Sequence, residues 1–254
     1  MQGLVVARFF VDRPIRPGMV RAILDTLSAQ GGAYEPHLVR RSTDGSIRRI
    51  SGGRPAGLLD EVGEGGTQTT FLRVAETQSH QLLSFFVSRT PRMKPTIVAL
   101  TVPAAALGSS AEIDRLLGVS KGLYLFLEAP WGVVGTDDSF TRTGSAGHDL
   151  TSSSPAHLAW ASFFGPEVVL RIGPARLLTS LAFIVEILPD GGMMVVTHSA
   201  PELAATSDGR ALRAQLEQEL GLESALRSIL KHRNIEHQVA SRDRSRVVRR
   251  SDDC

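Results

Sequence analysis

The sequence predicts an α+β protein: a mainly antiparallel sheet with helices packed on one face, built as two α/β modules. Three observations carry that prediction. Apolar, β-branched runs follow one another with few helical patterns between them. Their connections are short: Thr77-Gln78-Ser79 suits a hairpin and leaves no room for a crossover. A stretch rich in Gly, Ser, Thr and Asp, residues 135–153, then divides the chain as a linker or long surface loop. The modules are residues 1–134 and 154–230, followed by a basic tail over 231–254.

In chain order, "GLVVARFFVD" (Gly3 to Asp12) is apolar and β-branched and reads as a buried strand. After Pro14 and Pro17, Val20, Ile23, Leu24 and Leu27 recur at helical spacing until Gly31-Gly32 ends the helix. Thr43-Asp44-Gly45 marks a hairpin turn. Strands are expected over Gln68 to Glu76, His80 to Arg89 and Thr96 to Val102. Ser109-x-x-Glu112 is a capping box ahead of Ile113, Leu116 and Leu117, and "GLYLFLEAP" reads as a further strand.

The second module opens at Ser154-Pro155, a cap followed by a first-turn proline. "HLAWASFF" is expected to be helical with its aromatics as the buried face, and Gly165-Pro166 and Gly173-Pro174 punctuate short helices after it. Two apolar runs flank Pro189-Asp190-Gly191-Gly192, the clearest hairpin in the chain. Leu212, Leu216, Leu220, Leu226 and Leu230 mark an amphipathic helix that Gly221 breaks or bends.

Composition narrows the function classes. The net charge of +2 is concentrated at one end: residues 231–254 hold seven basic and four acidic side chains, leaving the remainder at −1. Nucleic-acid binding is therefore not expected of the body, and the Arg-rich tail, which has no interleaved aromatics, offers phosphate contacts at most. Cys254, the one cysteine, cannot form an intrachain disulfide. With no signal-peptide pattern and no membrane-length apolar run, the expectation is a cytoplasmic protein that does not enter a membrane.

No metal or cofactor is expected. The seven histidines show no HExxH spacing, the lone cysteine excludes CxxC, and neither a GxSxG elbow nor a phosphate-binding glycine framework occurs. Catalytic residues are accordingly none. The alternative, an enzyme of unrecognised type, would centre on His148 and Asp149 with His157 nearby. Asp60, Glu61, Glu64, Asp137 and Asp138 lie in Gly-rich stretches, where acids are ordinarily solvated, serve a basic partner, or act as acid–base pairs if buried. Trp131 opens "WGVVGTDD", read as a recognition loop because Trp is frequent at interface hot spots; a core or domain-junction position is its other reading.

"HLAWASFFGPEVVLRIGPARLL" and "VEILPDGGMMVVTHSAPEL" resemble the C-terminal part of polymorphic-toxin immunity proteins of the immunity protein 52 type. The matching residues are Trp160, Phe163, Phe164, Gly165, Pro166, Gly173, Arg176, Leu177, Leu178, Asp190, Gly191 and Gly192. The resemblance covers about seventy residues of scaffold, and the basic tail lies outside it. It implies a cytoplasmic binding protein that neutralises a cognate toxin by occlusion, without catalytic residues. A structural subunit of a phage or secretion assembly stays open beside it.

Overall fold

Leu4–Val11 is a run of eight residues with no polar member but Arg8, and such a strand is stable only when covered on both faces. It takes that position. The computed structural model describes residues 3–11, 15, 17–29, 34, 36, 38–40, 47–49, 68–75, 78–86, 96–136 and 157–222. In it Leu4–Val11 forms strand β1, near the middle of a single ten-stranded sheet. β2 (Leu38–Arg40), β3 (Ile47–Arg49), β4 (Gln68–Ala75), β5 (Gln78–Phe86) and β6 (Thr96–Pro103) lie to one side. To the other lie β7 (Trp131–Thr136), β8 (Ala161–Phe164), β9 (Ile184–Ile187) and β10 (Met193–Val196). The order is β3-β2-β4-β5-β6-β1-β7-β8-β10-β9, and every pairing is antiparallel.

The class is α+β, with an antiparallel sheet. Strands from both sequence modules lie side by side in it, β7 pairing with β8 from Trp131–Phe164 to Val134–Ala161. One face carries Val5, Ala7, Phe9, Val11, Val98, Leu100, Phe163 and Met194. Helix α1 (Pro17–Ala29) covers it through Val20, Ile23 and Leu27, and α2 (Ser110–Leu127) through Leu116, Leu123, Tyr124 and Leu127. The opposite face, at β8 and β10, presents Phe164, Met193 and Val195. These lie under α3 (Pro166–Ile172), α4 (Pro174–Leu178) and α6 (Ser207–Leu220); a one-turn helix, α5 (Pro201–Ala204), precedes α6. Helices thus occupy both faces, where the sequence reading put them on one. β8 and β10 are buried throughout, and an apolar strand of that kind needs cover on each side.

Two local expectations are corrected. "ASFF" is not a helix but strand β8, with Phe163 in one core and Phe164 in the other. Periodicity cannot separate the two readings in so short an apolar run. "GLYLFL" is not a strand but the last turns of α2: Leu116, Ser120, Leu123 and Leu127 are buried at helical spacing, and the capping box at Ser109–Glu112 starts the helix. That helix stops at Glu128, in the left-handed conformation. The Ser154-Pro155 start and the predicted hairpin turn at Thr43-Asp44-Gly45 lie outside the described residues.

Gly132 is what lets the two halves meet. An added Cβ there would lie 2.6 Å from Cδ1 of Phe9, so only glycine lets that ring cross β7. The Phe9 ring reaches Phe163 at 6.0 Å, and Phe163 stacks on Tyr124 at 5.2 Å and 24°. Removing the central ring leaves a cavity with rigid walls on three elements. Phe163→Ala is expected to cost about 3–5 kcal/mol of stability, read as a lower urea midpoint; an unchanged midpoint would contradict this packing.

Candidate functional site

The acidic residues singled out as partner contacts, Asp60, Glu61, Glu64, Asp137 and Asp138, lie outside the described residues, as do His148 and Asp149. Trp131 is described. It is the first residue of β7, 8% exposed, and stacked on Phe10 at 5.2 Å and 26° within a small cluster with Ile97, Val133 and Ala159. Its indole N–H is buried and finds no acceptor among the described residues.

Polar side chains that do come together form a knot where the chain enters β8. Glu217, one turn before the end of α6, accepts from the Leu158 N–H at 2.7 Å and lies 3.5 Å from His157 Nδ1. Arg213, one turn earlier, donates to the Leu158 carbonyl at 3.0 Å. The i, i+4 spacing sets both side chains on one flank of α6, so that each satisfies one backbone group of Leu158. Beside them the Trp160 indole donates to the His198 carbonyl at 2.8 Å, and Thr197 N–H donates to the Trp160 carbonyl at 2.8 Å.

Most of the hydrogen bonds of this knot are made to backbone groups. His198 Nδ1 lies 2.8 Å from the Thr197 hydroxyl, a spacing that would suit a base and its nucleophile. That hydroxyl is buried and also donates to the Trp160 carbonyl at 3.2 Å, so it bridges the imidazole and the backbone. Burial, and then the nearby Arg213 guanidinium, hold His198 below the usual imidazole range. Arg213 is itself pushed down by burial, which Glu217 partly offsets. Among the described residues no group of three or more His, Cys, Asp or Glu side chains could hold a metal ion, and no helix is long and apolar enough to cross a membrane.

A second grouping fixes the β9–β10 hairpin to α2. Lys121 Nζ donates to Glu186 at 2.8 Å, and the Tyr124 hydroxyl donates to Asp190 at 3.1 Å. Asp190 also accepts from the Gly192 N–H at 2.9 Å. Burial first, and then Asp190, raise the Tyr124 phenol, which stays protonated as the donor this contact needs. Just outside this stitching the surface becomes apolar. Leu178, Leu181, Phe183, Ile184 and Ile187 are between 37% and 63% exposed, and they account for five of the eight exposed large hydrophobics among the described residues. They fall within ten residues of sequence that end on β9, the outermost described strand on that side. Sequence reasoning identified the hairpin but not this surface; the signal was the length of the run "LLTSLAFIVEIL" relative to what one short strand can bury.

No family model matches the chain, and no curated protein matches it. Among solved structures the fold is similar to that of the Pseudomonas aeruginosa T6SS protein PA0821, with a TM-score of 0.60 and 13% identity over 87% of this chain and 72% of that one. At that identity the likeness is one of fold.

The His198 environment has a consequence for stability. Its folded pKa lies below its unfolded value near 6.5, so the stability it contributes is present above about 6.5 and is lost as the pH falls through the folded pKa. His198→Gln, which keeps a hydrogen-bonding group there, is expected to flatten the decline in unfolding free energy between about pH 7 and 5. Parallel curves for the two proteins would show that His198 is not responsible.

Proposed function

We propose that this chain is a non-enzymatic binding protein of the interbacterial-competition type, an immunity protein that occludes a cognate toxin in the cytoplasm. The observation that carries this reading is the fold shared along 87% of the chain with a T6SS protein. The resemblance of the C-terminal module, about seventy residues, to immunity proteins of type 52 points the same way. The polar knot supports it too: Glu217, Thr197 and Arg213 each bond a backbone group, which suits a scaffold.

In this reading occlusion rests on charge as well as shape. Asp60, Glu61, Glu64, Asp137 and Asp138 are the contacts for a basic toxin surface, and such charges speed encounter and exclude wrong partners. Trp131 supports the start of that recognition segment from within the sheet.

The experiment is a survival assay with the toxin gene that neighbours this one. Expression of the chain is expected to protect cells, and a triple charge reversal, Asp60→Lys with Glu61→Lys and Glu64→Lys, is expected to weaken toxin binding by about tenfold or more, chiefly through slower association. His148→Ala and Asp149→Ala are expected to leave protection intact. Loss of protection in those two variants, with stability retained, would favour an enzyme; no protection by the native chain would end the immunity reading.

A further inference from the structure

Between β7 and β8 the chain takes a long detour. The strands are antiparallel neighbours, paired from Trp131–Phe164 to Val134–Ala161, and such neighbours are ordinarily joined by about two to five residues. Here residues 137–160 intervene. A connection of that length in a compact domain is commonly a functional one. This one holds Asp137 and Asp138, the acidic pair read as partner contacts, and also His148 and Asp149.

Its returning end is gripped in a way that sheet pairing does not require. Leu158 is held at three points, all by α6. Its N–H donates to Glu217 Oε1 at 2.7 Å and its carbonyl accepts from Arg213 Nη1 at 3.0 Å. Its side chain, 2% exposed, belongs to the cluster that includes Leu216 and Leu220. The peptide units on either side of Leu158 are thus both oriented. Two residues on, Trp160 is tied to the end of β10: its carbonyl accepts from Thr197 N–H and its indole donates to the His198 carbonyl, each at 2.8 Å. α6 is anchored in turn, because Arg176 of α4 donates to the Glu219 carbonyl.

Stability is a poor reason for this clasp. Arg213 Nε is buried and finds no acceptor among the described residues. An unpaired buried donor costs free energy, and charges drawn out of water gain little on balance. What the contacts do supply is a fixed geometry at one root of the connection. The other root lies beside it: Thr136 is two residues past Val134, and Leu158 is three before its partner Ala161.

We propose that Glu217 and Arg213 are positioning residues for recognition: by orienting Leu158 they set where the 137–156 connection rejoins the sheet, and so hold that segment ready for its partner. A segment ordered in advance loses its conformational entropy on folding and not on binding, and a drop in the competent fraction raises the apparent Kd in proportion. The partner's identity rests on the immunity reading; the clasp itself does not.

The test compares the native chain with Glu217→Ala, Glu217→Gln and, as a control, Lys121→Ala, which removes the contact to Glu186 elsewhere. Two quantities are read: affinity for the neighbouring gene's toxin, and amide hydrogen exchange of the free chain over residues 137–160. Glu217→Ala is expected to weaken binding by about tenfold and to speed exchange over that segment. Glu217→Gln keeps an acceptor for the Leu158 N–H and is expected to restore both. Lys121→Ala is expected to change neither. Native affinity and exchange in Glu217→Ala would overturn the proposal, as would failure of Glu217→Gln to rescue or an equal loosening by Lys121→Ala. If the native chain binds no toxin, the immunity reading fails and exchange alone decides: loosening over 137–160 in Glu217→Ala upholds the clasp, and its absence overturns it.

Discussion

The burial of Phe163 is the constraint on which the rest of the structure depends. Its ring is 0% exposed and lies between Phe9 of the central strand and Tyr124 of the long helix. Strand β8 is only four residues long, and its neighbour Phe164 points into the other core. A strand this short gains little from its ladder and much from two aromatic anchors on opposite faces, each burying an area that dominates local energetics. Gly132 is part of the same solution, since a side chain there would displace the Phe9 ring by its closest carbon. The α2 helix then has to pass directly above, and its register is fixed by the stack with Tyr124.

From that stack the hairpin inherits its position. Tyr124 uses its ring on Phe163 and its hydroxyl on Asp190, so a single residue ties core to turn. Gly192 allows this: a Cβ there would come within 2.6 Å of the Tyr124 hydroxyl and 2.7 Å of the Phe164 carbonyl. Asp190 in turn caps the Gly192 amide, and Gly191 supplies the positive φ of 83° that closes the turn. Part-buried polar contacts of this kind fix geometry more than they add net stability, because each replaces hydrogen bonds to water.

Much of this was legible in the sequence where local physics decides. The buried strand at Leu4–Val11, the helix spacing of Val20, Ile23 and Leu27, the Ser109–Glu112 capping box and the Pro189–Gly192 turn each signal themselves within a dozen residues. Where the outcome depends on distant partners, the sequence was ambiguous. "GLYLFL" alternates well enough for a strand, and only the helix already running from Ser110 and the core beneath it decide otherwise. "ASFF" is a strand because β7 and β10 flank it, and neither is near it in the chain. The apolar edge was hidden for the same reason: sequence shows that "IVEI" is a strand but not that it pairs with β10 alone among the described strands. The acidic candidates fall outside the described residues, and the knot around Leu158 was missed because Glu217 and Arg213 lie more than fifty residues from the backbone they serve.

The same stitching bears on why an apolar edge persists at all. Exposed apolar residues on an edge strand invite unwanted pairing, and the common remedies are a charge, a proline, a bulge or simple fraying. Here Lys121–Glu186 holds β9 and Tyr124–Asp190 holds the turn that follows it against α2, with the strand in register with β10. An edge held rigid and left apolar is prepared for association, because the entropy of ordering the strand is lost on folding and not on binding.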